Sequence, residues 1–221
     1  MAKPVKISDR DKSWARKAPP RRAYQTRPER RRILIVCEGE KTEPNYFNAI
    51  KASLPPHVAQ VIEVRGLGAN TQSLVNCAKK RRNRLLNTDY AYDEVWVVFD
   101  RDSFAPDAFD NAIHSAEAEG MKSAWSNEAF ELWYILHFED RQAAMSRDDY
   151  AACLSRYLEN PYRKNDPGIY ALLMHRGSED MAIRRAIQRQ VDHEGMPPHA
   201  ANPCTTVNKL VERLNEFDPN S

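Results

Sequence analysis

The sequence predicts an α/β protein, with a mostly parallel sheet flanked by helices and an α-helical C-terminal extension. Three observations carry this. Short apolar runs such as Ile33–Cys37 and Val95–Phe99 lack alternation, as strands buried on both faces do. Segments with helical spacing lie between them. From about residue 140 onward the prolines multiply and no convincing strand remains.

The elements follow in order. Residues 1–32 are poor in large apolar side chains and read as a disordered basic tail. The core is expected over 33–140 and the extension over 141–221. Ile33–Cys37 is a strand that stops at Glu38-Gly39. Thr42 is placed to cap a helix that Glu43-Pro44 opens, with Tyr46, Phe47 and Ile50 on its apolar face. Val61–Val64 forms a second strand, ended by Gly66 and Gly68. The next helix carries Leu74, Cys77, Ala78 and Leu85. Glu94–Phe99 is the clearest strand and runs into Asp100. A helix over 106–119 buries Ala108, Ile113 and Ala116. Lys122–Trp125 forms a short strand, and an apolar helix runs from about Glu128 to Phe138. Helical segments near 147–159, 178–193 and 205–216 complete the chain, with breaks at Pro161, Pro167, Pro197-Pro198 and Pro203.

Composition narrows the class. Of 221 residues, 29% are charged and 42% hydrophobic, which suits a folded globular protein. No apolar run is long enough for a bilayer, and MAKPVKISDRDK carries no signal-peptide core. A cytoplasmic protein with no membrane association is expected. Cys37, Cys77, Cys153 and Cys204 are widely spaced, which argues for reduced thiols and against zinc. The net charge of +2 conceals an asymmetry. Residues 1–32 hold twelve Lys/Arg and three Asp/Glu, giving +9, so the remainder carries −7. The tail is either a solvated coil or an arm that meets phosphates in a salt-dependent way.

Two strand ends carry acids: Glu38, and Asp100-Arg101-Asp102. In open α/β sheets functional groups gather at the carboxyl ends of strands. Alternation along an extended segment points Asp100 and Asp102 to one side. Three converging carboxylates repel one another unless a cation intervenes, and hard oxygen donors suit Mg²⁺ or Mn²⁺. The plainer alternative is that these acids cap helices and fill turns.

The segment Ile33–Gly39 resembles the first Toprim motif, a hydrophobic strand ending in Glu-Gly. Val97–Asp102 resembles the second, a strand ending in Asp-x-Asp. More closely, Cys37-Glu38-Gly39-Glu40-Lys41-Thr42-Glu43-Pro44-Asn45-Tyr46-Phe47 is similar to the signature of the RloB-like family. So are Ser126–Trp133 and, more weakly, Asn202–Val207. The resemblance implies a Toprim-like Rossmannoid core. It implies a metal-dependent nuclease in anti-phage defence, partnered by an ABC- or AAA-type ATPase. Glu38, Asp100 and Asp102 then carry over as metal-binding and catalytic residues. A catalytic lysine finds no match. A non-catalytic metal- or nucleotide-binding regulatory subunit is the alternative; primase and topoisomerase readings lack the extra architecture.

Other residues have two readings each. Glu40 and Glu43 are second-metal ligands, or Glu43 is a first-turn acid favourable to the helix dipole. Asn127 and Glu131, four apart, share a helix face aimed at the site, or Ser126 or Asn127 caps that helix. His137 is a core histidine or a base. Gly66–Gly68 is a turn that could dock a phosphate on the next helix. Lys79, Lys80, Arg81, Arg82 and Arg84 contact a nucleic-acid backbone, DNA or RNA, or form a solvated face. Tyr162, Arg163 and Lys164 form a loop or a substrate clamp. Oligomeric state is open, a homodimer included.

Overall fold

Five strands form one sheet in the order β2-β1-β3-β4-β5. In this computed structural model the described residues are 31–68, 71–101 and 105–218. The expected disorder of the tail therefore lies outside them, apart from Arg31 and Arg32, and so does Asp102. The strands are β1 (Ile33–Cys37), β2 (Ile62–Gly66), β3 (Glu94–Asp100), β4 (Lys122–Asn127) and β5 (Cys204–Thr205). The first four pair in parallel; β5 joins β4 antiparallel. The helices are α1 (Thr42–Ser53), α2 (Pro56–Ala59), α3 (Thr71–Leu85), α4 (Pro106–Ala118), α5 (Glu131–Leu136), α6 (Arg147–Leu158), α7 (Ile169–Arg176), α8 (Glu179–Asp192) and α9 (Val207–Asn215).

The period of two along each strand sorts side chains into two cores. Ile33, Ile35 and Cys37 of β1, with Trp96 and Val98 of β3, meet α1 and the helices from α5 to α9. Leu34, Val36, Val95, Val97 and Phe99 meet α3 and α4 on the other face. Covered on both sides, the central strands β1 and β3 need no polar face, which is why Ile33–Cys37 and Val95–Phe99 run apolar throughout. The segment after residue 140 thus joins α1 and α5 in one of the two covering layers. The described residues all belong to one compact unit, Arg31–Ser221.

Several boundaries differ from expectation. Lys41, not Thr42, holds the N-cap position of α1, and no side chain caps it. Thr42 instead donates its hydroxyl to Asn165 Oδ1 at 2.7 Å. On α4 the buried face is Phe109, Ala112, Ile113 and Ala116, while Ala108 is exposed. Cys77 of α3 is exposed as well. β4 continues to Asn127, and α5 begins only at Glu131, so Asn127 and Glu131 do not share a helix. β5 contradicts the expectation of no strand after residue 140. Two residues carry no readable pattern, and hydroxyls fix the pairing. Thr205 Oγ1 and Ser126 Oγ are 2.9 Å apart, and Thr206 Oγ1 accepts from Trp125 N–H at 2.9 Å. The helices α2 and α7 are further additions to the expected elements; both are short and begin at or just after prolines, Pro55-Pro56 and Pro167. Among the described residues no helix is long and apolar enough to cross a membrane.

Candidate functional site

The strand order reverses direction between β1 and β3, because β2 lies to one side of β1 and β4 beyond β3. A crevice opens at such a point, beyond the carboxyl ends of the strands. Glu38 and Asp100 stand there. Glu38 N–H still donates to Val98 O at 2.9 Å, extending the β1–β3 ladder by one residue. Asp100 N–H donates to Glu38 Oε2 at 3.3 Å, tying the two acids' positions together.

The loop after β1 is held close to the sheet. Its neighbour is the Gly66–Gly68 turn, whose Gly68 N–H donates to Glu38 O at 2.8 Å. A Cβ on Gly66 would lie 2.6 Å from Gly39 O and 2.7 Å from Glu40 O, so only glycine permits this approach. Gly39 plays the same part beside Glu43, whose carboxylate occupies the space a side chain would need.

A cavity of about 410 Å³ opens above this junction. It brings together five predicted acids: Glu38, Glu40, Glu43, Asp100 and Glu131. Three cations also line it: Lys41, Arg147 and Lys164. Glu43, from the first turn of α1, is 5% exposed. Burial pushes its pKa up, Glu131 adds to that, and the backbone N–H groups of Glu43 and Gly39, with Lys164, pull it back. Glu131 opens α5 and accepts from the Tyr162 hydroxyl at 3.0 Å. Asp100 shows the strongest effect. Burial holds its carboxyl well above the ordinary aspartate range, and Glu43, Glu131 and Glu38 push the same way. Its Oδ1 is sealed from solvent with no hydrogen-bond partner among the described residues. Orphaned buried oxygens are costly and rare.

The charge of this donor set, though not its spacing, suits a divalent cation. Fully ionised, the five carboxyls and three cations leave two negative charges, which one divalent ion cancels. Among the described residues no three Asp, Glu, His or Cys side chains are spaced to grip one ion together. Mg²⁺ asks for less, since it keeps several waters and takes one or two carboxylates plus substrate oxygens.

Other expected residues lie elsewhere. Asn127 does not line the cavity; its amide donates to the carbonyls of Pro198 and His199 at 3.1 and 3.0 Å. It fastens the loop before β5. The cluster on α3 is largely matched by acids: Lys79 and Arg82 reach Glu119 at 2.5 and 3.0 Å, and Arg81 reaches Glu63 at 2.8 Å. Lys80 and Arg84 are exposed. None of the five lines the cavity. His137 is a core residue, with Nδ1 2.9 Å from Trp133 O and its pKa lowered to about 4 by burial. Arg147 gave no local signal in the sequence, because only folding brings α6 to the strand ends. Lys164 was visible as part of a clamp-like triplet, and the structure places it at the cavity.

Fold and site together define an α/β protein with an acid-walled cavity at the switch point of a parallel sheet. A family model described as RloB-like protein matches residues 33–214, and the chain belongs to that family. No curated protein and no solved structure gives a significant match.

Proposed function

We propose that the chain is a metal-dependent Toprim-type nuclease that hydrolyses phosphodiester bonds in DNA or RNA. The observation that supports this best is Asp100, a carboxylate with an unpartnered buried oxygen among Glu38, Glu43 and Glu131. Such crowding is unfavourable in a purely structural site, and a divalent ion relieves it. Glu38 and Asp100 would hold Mg²⁺ or Mn²⁺, with Asp102 joining by the motif resemblance. The ion, when bound, supplies Lewis-acid stabilisation of the phosphoryl oxygens and a water of lowered pKa. Glu43 and Glu131 line the same cavity and would be the carboxylates available there to accept a proton. The pKa of Glu43, raised by burial, moves it toward the range of a general base.

The test is a cleavage assay with Mg²⁺ and Mn²⁺ on plasmid DNA and total tRNA. Asp100→Asn and Glu38→Gln are expected to reduce cleavage by roughly 10²- to 10³-fold, the usual cost of one essential electrostatic group. Wild-type turnover in both variants would sink the proposal. The motif resemblance extends it to an anti-phage effector working in the cytoplasm beside an ABC- or AAA-type ATPase, so the assay includes that partner.

One observation favours a second reading, a non-catalytic metal- or nucleotide-binding regulatory subunit. The α3 cations are largely engaged by Glu63 and Glu119, which reduces the positive charge that helix can offer a polyanion. Metal binding without cleavage of any nucleic acid, ATPase present, would select it.

A further inference from the structure

The cavity has two walls of different origin. The acids come from the ends of β1 and β3 and the first turns of α1 and α5. The opposing side is built by Arg147 at the start of α6 and by Lys164 and Asn165 from the connection between α6 and α7.

That connection is anchored at both sides of Lys164. Tyr162 N–H donates to Ser155 Oγ at 2.8 Å, and its hydroxyl reaches Glu131 at 3.0 Å. Asn165 adopts a left-handed φ of 70°, its Oδ1 accepts from Thr42 at 2.7 Å, and its carbonyl accepts from Asn45 at 3.0 Å. Both anchors end on elements that carry the acid wall. Lys164 is therefore positioned over the cavity by its backbone, and it is close enough to act electrostatically on Glu43.

An anion cannot enter a cavity lined only by carboxylates. Here three cations line it as well: Lys41 beside Glu40 and, from the helical extension, Arg147 and Lys164, a planar delocalised guanidinium fork and a point-charge ammonium. Among the described residues the one aromatic ring lining the cavity, Phe130, is 1% exposed and offers no stacking platform to a base. Recognition at this wall is therefore of phosphate and not of base. The volume falls in the small-ligand range, enough for one phosphate and its adjoining sugar.

Building on the metal reading, we infer that Lys164 and Arg147 form a phosphate-receiving wall. It takes the non-bridging oxygens of a phosphate ester, while the acids opposite hold the divalent ion. The helical extension thereby supplies half of the substrate site.

Two binding measurements on the full chain test this without any turnover. Mn²⁺ affinity is read by electron paramagnetic resonance. Binding of inorganic phosphate is read by equilibrium dialysis, with and without Mn²⁺. The double variant Lys164→Ala/Arg147→Ala is expected to keep its Mn²⁺ affinity within about twofold and to lose phosphate binding by about tenfold or more, as loss of charge-assisted hydrogen bonds implies. Lys164→Arg should recover most of the loss. Thermal melting checks that the variants fold. Phosphate binding undiminished in the double variant overturns the inference, as does a wild type that binds Mn²⁺ but no phosphate. If wild type binds no Mn²⁺ yet loses phosphate binding with the two cations, the wall stands and the metal reading falls.

Discussion

The acids at the rim of the sheet and the acids at its carboxyl end are the same residue types in opposite circumstances. Glu94, at the start of β3, is met by Arg213 at 2.6 Å and Lys122 at 3.0 Å. Burial acts to raise its pKa, but these hydrogen bonds outweigh it and hold the carboxyl at about 2. Glu63 is likewise lowered, with Tyr92, Arg65 and Arg81 overcoming burial. At the other end of β3, Asp100 has acids for neighbours and is pushed up. One strand thus begins with a carboxylate stabilised by cations and ends with one that the fold itself leaves strained. At one end of the strand cations hold the carboxylate charged; at the other, burial and neighbouring carboxylates disfavour the charge.

Substitutions can break this contrast. The largest effect is expected at Asp100→Asn, where cleavage falls roughly 10²- to 10³-fold while metal-free stability holds or rises. A fall in melting temperature there would show that Asp100 is structural. Acid should have the next largest effect, through His137. Its folded pKa of about 4 lies below the ordinary 6.5, so the unfolded chain binds more protons between those values. Stability is complete above pH 6.5 and decreases as pH falls toward 4, by about 3 kcal/mol in all. His137→Phe should flatten that part of a urea-melt pH series. Arg213→Met leaves Glu94 with Lys122 and the more distant Arg31, and should cost about 2 kcal/mol in urea unfolding. The loss should shrink as pH falls from 4.5 toward 2, where Glu94 takes up its proton. Glu43 runs the other way. Its carboxyl is raised, so the metal-free protein gains from its protonation as pH falls toward the ordinary glutamate value. Glu43→Gln should remove that gain. The smallest effect is expected from Lys80→Ala/Arg84→Ala on α3, with stability changed by under about 0.5 kcal/mol.

Much of this was legible in the chain. Runs such as Ile33–Cys37 declared a doubly covered sheet, and acids at the ends of two such runs marked its functional edge. What escaped reading depends on distance. Arg147 reaches the cavity only because α6 packs on α5, and Lys164, readable as part of a clamp-like triplet, is brought there only by the packing of α7 on α1. β5 is two residues long and held by hydroxyls, a feature no periodicity records. Asn127 was assigned to a helix because the apolar run after it hid where β4 ended. The α3 cluster reads in sequence as either a phosphate contact or a solvated face, because its acidic partners Glu63 and Glu119 lie far away along the chain.

The hydrogen bond from Thr42 to Asn165 joins residues 123 positions apart. Domains form as the chain is synthesised, N-terminal parts first. Every acid of the cavity has been synthesised by residue 131, and the opposing cations complete it only at residue 164. The cavity is therefore incomplete during most of translation. A function that needed both walls would be withheld from the unfinished chain.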